Sequence, residues 1–308
     1  MLYILTEKSE LNFSNIWRGH LNAIRQALDI NNSSYRQVDV LLAKQIKFKS
    51  DDIIINIGNH QYLGGELLIS LAESVSKVSR TVFFMDDYTA PPPTQMRKAL
   101  TKSSNLLLVN IKDLNVLTQR KSLDMFEKIY VNLNKASFKL LPLKEPKYPK
   151  SFIYWGVYRA GRNELFFHYF KPKIYKTFVS SSERSHKKFA DAWLDYRPLD
   201  KFKTMPNDLQ NYGFTVYIED KSSPLHSISN RFFEAVSAGL PIFFDCDSIS
   251  HIELPDHAEN YIVSNAGELV EKDLQKTQAE QRKLWGHRNY QRELINDFGK
   301  IFYRYGIL

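Results

Sequence analysis

Ile53-Ile54-Ile55-Asn56-Ile57 is a short apolar run with almost no polar interruption, and Gly58-Asn59-His60-Gln61-Tyr62-Leu63-Gly64-Gly65 follows it at once. A strand with one wet face alternates apolar and polar residues, whereas a continuous run belongs to a strand covered on both faces. The glycines behind the run mark a tight turn, and Glu66 to Val75 then reads as an apolar helix. Working outward, Met1 to Thr6, Val38 to Leu42, Thr81 to Met85, Leu106 to Val109 and Lys128 to Val131 are runs of the same kind. Ile16 to Leu28 places Leu21, Ile24 and Leu28 at helical spacing. Buried strands alternating with helices predict a parallel sheet between helical layers.

The pattern starts again after a segment punctuated by Pro142, Pro146 and Pro149, which reads as a linker. Phe152 to Trp155, Ile174 to Val179, Thr215 to Ile218, Ile242 to Phe244 and Tyr261 to Val263 are strand candidates. Glu164 to Tyr169 begins a helix, and Phe232 to Ala238 is another, stopped by Gly239 and Pro241. Residues from Ala279 to Tyr305 read as one long helix rich in arginine and aromatics. The expectation is two α/β units with a cleft between them: 1–148, 149–285, and a closing helix over 286–308.

Composition bounds the function. The chain has 308 residues with 42 Lys plus Arg against 34 Asp plus Glu, a formal net charge of +8 that favours anionic partners. Cys246 is the one cysteine, which excludes an internal disulfide and a cysteine-built zinc site and fits a reducing cytoplasm. The eight histidines show no metal-ligand spacing. No run approaches 18 apolar residues, so no membrane span is expected.

Open α/β sheets bind ligands beyond the carboxyl ends of their strands, so chemistry is sought there. Asp86-Asp87 follows the run at Thr81 to Met85 and precedes the stiff Pro91-Pro92-Pro93. A carboxylate in that position suits a general base, a metal ligand or a turn cap. Gly156-Val157-Tyr158-Arg159-Ala160-Gly161-Arg162-Asn163-Glu164 combines glycines that admit close backbone approach with two arginines able to fork onto phosphate. It lacks the Lys-Ser/Thr ending of a P-loop and does not match GxGxxG; a basic turn facing water is its bland alternative. Arg231 and Glu234 are three apart on one helix, so they share a face. An arginine suits a diphosphate and the carboxylate suits ribose hydroxyls; a surface salt bridge of little energetic worth is the bland alternative.

Glu234 followed by Ala238-Gly239-Leu240-Pro241 and a strand resembles the nucleotide-sugar site of glycosyltransferases built from two Rossmann-like domains facing a cleft, the GT-B architecture. The ordered set of Tyr62-Leu63-Gly64-Gly65, Phe84-Met85-Asp86, Gly156 to Glu164, Ile218-Glu219-Asp220-Lys221, Arg231 to Glu234 and Asn265 to Leu269 resembles the phage DNA glycosyltransferase family acting on 5-hydroxymethylcytosine. That resemblance implies the following. Asp86 is the general base on the acceptor hydroxymethyl group. Gly156, Tyr158, Arg159, Arg162 and Arg231 surround the diphosphate, Arg162 standing in for a family arginine that aligns with Asn163. Glu234 holds the ribose. His20 lies about where the family has a donor-sugar glutamate, so the sugar pocket departs from the family and the donor is UDP-glucose or UDP-arabinose. From their places in the sequence, His60, Tyr62 and Asp87 are acceptor-side candidates, and Arg97 and Lys98, just past the prolines, are candidate contacts to DNA phosphates, with a solvated face as the bland alternative.

A soluble monomer in the cytoplasm of the infected host is expected. Its partners are the UDP-sugar and double-stranded DNA carrying hydroxymethylated cytosine, and a divalent cation, Mg2+ or Mn2+, is a candidate at the diphosphate. Transfer by direct displacement with inversion is what the resemblance implies. The alternative is the same architecture acting on a glycan, a lipid, a small molecule or already glycosylated DNA.

Overall fold

The computed structural model describes residues 1–6, 15–57, 78, 80–84, 106–109, 127–129, 132–156, 158, 160–181, 187–189, 194–197, 206–219, 228–250 and 252–308. The chain divides into two units, Met1–Ala136 with Gln291–Leu308, and Ser137–Tyr290.

The first unit is a six-stranded sheet. Its strands are β1 (Leu2–Thr6), β2 (Tyr35–Asp39), β3 (Ile53–Ile57), β4 (Arg80–Phe84), β5 (Leu106–Val109) and β6 (Glu127–Ile129), in the order β2-β1-β3-β4-β5-β6. Every neighbouring pair is parallel, as the unbroken apolar runs predict. The run read as Val38 to Leu42 divides: β2 ends at Asp39 and a 3-10 turn takes Val40–Gln45. Helix α1 (Asn15–Ile30) turns Leu21, Ile24 and Leu28 onto Leu2, Ile4 and Ile55 of the sheet. Gly19 permits a close approach within this layer, since a Cβ there would stand 2.8 Å from the Cβ of Ala136.

The second unit carries β7 (Tyr148–Trp155), β8 (Lys176–Ser180), β9 (Asp195–Tyr196), β10 (Tyr212–Tyr217), β11 (Ile242–Asp245) and β12 (Ile262–Val263), ordered β12-β11-β10-β7-β8-β9 and again parallel throughout. Helix α2 (Ala160–Phe170) and helix α3 (Asn230–Ala238) contribute Phe166, Tyr169 and Phe170, and Phe232, Phe233 and Val236, to an aromatic-rich core. Full burial of each such side chain is worth about 1.5–3 kcal/mol.

The chain leaves the first unit at 136/137, ahead of the proline-punctuated segment. That segment is tied to the second unit by backbone groups: the N–H of Lys139 donates to Ser237 Oγ at 2.8 Å, and that of Leu141 to Ser237 O at 2.9 Å. Strand β7 already begins at Tyr148. The stretch expected as one long terminal helix is three pieces. They are α5 (Leu274–Gln281, after the short α4 at Ala266–Val270), a π-turn at Arg282–Gly286 and α6 (Tyr290–Arg304). Trp285 explains the break: it is buried in the second core, and its indole N–H donates to Asp256 O at 2.9 Å. Beyond it, Leu294, Phe298, Ile301 and Phe302 of α6 enter the first unit's core beside Leu2 and Ile24.

Candidate functional site

Parallel sheets open a crevice where the chain reverses its direction of winding, beyond the carboxyl ends of the two strands that flank the reversal. In the second unit the chain runs from β7 outward to β8 and β9, then returns to place β10 on the other side of β7. The reversal therefore lies between β7 and β10. Their carboxyl ends deliver Trp155-Gly156 and Ile218-Glu219.

Gly156 leaves β7 with φ of +140°, a conformation that disfavours any side chain, and its N–H donates to Ser180 O at 3.0 Å. Helix α2 then begins at Ala160, four residues before the predicted start, so Arg162 stands in its first turn instead of the preceding loop. Across the reversal, Ser229 caps α3 in an extended conformation and Arg231 lies in the first turn. At the other end Gly239 adopts the left-handed conformation, φ 67°, and the N–H of Leu240 returns to Ala235 O at 3.0 Å, completing the glycine-then-proline stop.

Three charged side chains, Arg162, Glu219 and Arg231, meet here. Glu219 is wholly buried. Its Oε1 accepts from Arg162 NH2, and its Oε2 accepts from Arg231 NH2 at 3.0 Å and from the Tyr217 hydroxyl at 3.1 Å. Arg231 NH2 also donates to Ile218 O at 2.9 Å, and its guanidinium lies 5.1 Å from the ring centroid of Tyr217 and 5.7 Å from that of Tyr154. Burial works against the Arg162 charge, but the Tyr154 hydroxyl and Glu219 outweigh it and hold its pKa above the ordinary arginine value. Burial, reinforced by the Glu219 charge, pushes the Tyr217 hydroxyl pKa up, so it stays a neutral donor to the carboxylate.

Glu234 is oriented from two sides. Its Oε2 accepts the indole N–H of Trp155 at 2.7 Å, and its Oε1 accepts from Asn230 Nδ2 at 3.0 Å. These two bonds fix the orientation of a carboxylate, a group whose chemistry suits vicinal hydroxyls such as those of a ribose. Trp155 is only 2% exposed, and its indole serves to orient Glu234.

Two donor atoms stand out. Arg231 NH1 and Arg162 Nε are buried, and among the described residues neither has a hydrogen-bond partner. A buried donor left unmade costs about 1–3 kcal/mol, so the site calls for an acceptor that the described residues do not supply.

The structure thus brings Gly156, Arg162, Arg231 and Glu234 to one sheet reversal, with Tyr158 half-buried just beyond Gly156 and its ring 5.1 Å from that of Phe189. Arg159, His60, Tyr62, Asp86, Asp87, Arg97 and Lys98 lie outside the described residues. His20 is fully buried within α1 and presents no surface. Glu219 was absent from the expected site. Its signal was available: an acidic residue directly past a strand, ahead of the helix that carries Arg231.

No protein-family model and no curated protein matches the sequence. Solved structures do. A DNA-modifying β-glucosyltransferase, solved with and without uridine diphosphoglucose, superposes with a TM-score of 0.64 at 12% identity, covering 99% of each chain. The chain has the GT-B glycosyltransferase fold. A T4 phage β-glucosyltransferase variant bound to UDP-glucose gives the same TM-score, 0.64, at 12% identity over 97% of this chain and 98% of the other. The T4 phage enzyme with UDP and Mn2+ gives 0.61 at 12% identity over 98% of each. At this identity the likeness carries the GT-B fold; substrate and acceptor are separate questions. Among the described residues, no helix is long and apolar enough to cross a membrane.

Proposed function

We propose that the protein is a UDP-sugar-dependent glycosyltransferase that modifies the hydroxymethyl group of 5-hydroxymethylcytosine in DNA. The observation that carries the donor half is the pair of buried, unpartnered arginine donors at the β7/β10 reversal, beside a carboxylate held by Trp155 and Asn230. An anion with several acceptor oxygens satisfies the arginines, and a vicinal diol satisfies Glu234. A nucleoside diphosphate sugar offers both. The N-terminus of α3 adds oriented N–H groups and the positive end of its dipole. The T4 phage enzyme binds UDP-glucose with the same fold, which supports a uridine donor. Glucose and arabinose are the candidate sugars, since the family's donor-sugar glutamate has no clear match in this sequence and His20, which falls about there, is fully buried.

The acceptor half rests on the resemblance around Asp86 and on the net charge of +8. Asp86 comes two residues after the end of β4, a central strand of the first sheet. In the proposed reaction the acceptor hydroxyl attacks the anomeric carbon, its proton passes to the Asp86 carboxylate, and the bond to the diphosphate breaks. UDP leaves with the electron pair, and Arg162, Arg231 and Arg159 meet the charge it gathers. Attack opposite the leaving group inverts the anomeric centre. The target base is turned out of the duplex, which carries its C5 hydroxymethyl group from the major groove to the catalytic carboxylate, while Arg97 and Lys98 meet backbone phosphates. A divalent cation at the diphosphate, such as the Mn2+ found with UDP in the T4 phage enzyme, would share that charge with the arginines.

The test incubates the protein with DNA containing 5-hydroxymethylcytosine and a panel led by UDP-glucose and UDP-arabinose, with unmodified and already glycosylated DNA alongside. Nucleosides are then weighed by mass spectrometry. A hexose or pentose gain on the modified base is expected. UDP binding without transfer to any DNA would turn the assignment to a glycan, lipid or small-molecule acceptor.

A further inference from the structure

We infer that Glu219 is a positioning residue that holds Arg162 and Arg231 at a fixed separation and direction for the diphosphate. The inference rests on the donor site proposed above and deepens it.

A guanidinium is a rigid planar fork with five N–H donors. Anchoring one arm sets where the others point. Arg231 is anchored through NH2 on Ile218 O and Glu219 Oε2, which leaves NH1 buried and aimed elsewhere. Arg162 is anchored through NH2 on Glu219 Oε1, with NH1 3.5 Å from the Tyr154 hydroxyl and Nε left over. The same arm of both forks is thus fixed to opposite oxygens of one carboxylate. The span of that carboxylate sets the spacing of the two cations.

The carboxylate is itself held. Tyr217 donates to Glu219 Oε2, and the Tyr217 hydroxyl in turn accepts the N–H of Ser229, the cap of α3, at 2.9 Å. Glu219 is therefore registered to the helix end that carries Arg231. Electrostatics points the same way. Two buried guanidinium groups repel strongly at low effective dielectric constant. One carboxylate between them removes that repulsion and leaves a single net positive charge from the three groups, matched to an anionic ligand. A Gln at 219 keeps the shape, but its amide N–H2 faces guanidinium donors and is able to retain only one of the two arginines.

The test is isothermal titration calorimetry of UDP against wild type and Glu219→Gln, with uridine measured in parallel by NMR titration and folding followed by thermal melting. UDP affinity is expected to fall about 10- to 100-fold, the worth of hydrogen bonds to charged groups, while uridine affinity stays at the wild-type value. Glu219→Asp, which keeps the charge but is one methylene too short to span both arginines, serves as the second variant and is expected to lose UDP affinity likewise. Unchanged or tighter UDP binding by a folded variant overturns the inference, since Glu219 would then be neutral or a competitor for the arginines. Equal losses for UDP and uridine also overturn it, as they report general damage. A wild-type chain that binds no UDP sinks the donor-site assignment and this inference together, whereas wild-type binding with no change in either variant sinks this inference alone.

Discussion

Arg231 shows how one side chain serves the fold and the site at once. Its aliphatic stem and guanidinium lie among Tyr154, Tyr217 and Ile218, where a buried charge is tolerated only if paired and hydrogen-bonded. The pairing with Glu219 supplies this and leaves one amino group over. Lysine carries the same charge on a single point and forms no fork, so Arg231→Lys is expected to weaken UDP at least about tenfold. Asp86→Asn has the opposite signature. Removing a general base slows kcat by roughly 10²- to 10⁴-fold and leaves UDP binding at the wild-type value. Calorimetry with UDP and steady-state kinetics on hydroxymethylated DNA separate the two. A tight-binding Arg231→Lys variant, or an Asp86→Asn variant of full activity, contradicts the respective role.

At the scale of elements, β10 and β7 approach so closely that a glycine is required. A Cβ at Gly213 would overlap the Pro149 carbonyl oxygen and stand 2.8 Å from that of Ser151, next to a shift in the strand register. Both obstacles are backbone, so neither yields by rotation. Gly213→Ala is expected to destabilise the second unit by about 1–3 kcal/mol or more, the usual cost of overpacking, read as a lowered denaturation midpoint with the same slope. Helix α2 is stapled to two strand ends by Tyr169, whose single hydroxyl proton lies between two acceptors, Asp245 Oδ1 at 2.7 Å and Val263 O at 2.9 Å. Burial first, then the bond to Asp245, raise its pKa above the ordinary value of 10.0. The folded state therefore keeps a proton that the unfolded chain releases. This contribution is complete below about pH 10 and is lost as pH rises through the folded value. In Tyr169→Phe, stability is expected to fall less steeply with pH above 10 than in wild type, which chemical denaturation at stepped alkaline pH measures.

These elements also show where sequence was informative. The runs Ile53 to Ile57 and Ile242 to Phe244 are legible because burial on both faces leaves a pattern that needs no partner to be known. The stop at Gly239-Pro241 is legible because it is local chemistry. Glu219 was harder to read, since its meaning comes from two arginines far away in sequence, at 162 and 231. The break at Trp285 was hidden for the same reason. The helical periodicity on either side is sound, and only the long-range bond to Asp256 shows why the helix turns.

For the whole molecule, the two proposed ligands meet charge of different kinds, and this separates them experimentally. Arg162 and Arg231 are buried, with 11% and 9% of their side chains exposed, and are screened little by salt. The net charge of +8 lies over a long, lysine-rich chain, and side chains such as Lys139, Lys144, Lys147, Lys150, Lys171 and Lys173 are exposed to the ions of the medium. Duplex DNA bound through such groups releases condensed counterions, so log K falls linearly with log salt, with a slope of about −0.9 for each phosphate neutralised. Raising salt from about 50 to about 200 mM is therefore expected to weaken DNA binding by at least roughly tenfold, while UDP affinity changes by less than about threefold. Fluorescence anisotropy with labelled duplex and calorimetry with UDP, run across the same salt series, make the comparison. Parallel slopes would mean that the diphosphate is held by exposed lysines and not by the arginine pair at the β7/β10 reversal. A flat DNA curve would remove the electrostatic ground for a nucleic-acid acceptor and favour an uncharged one.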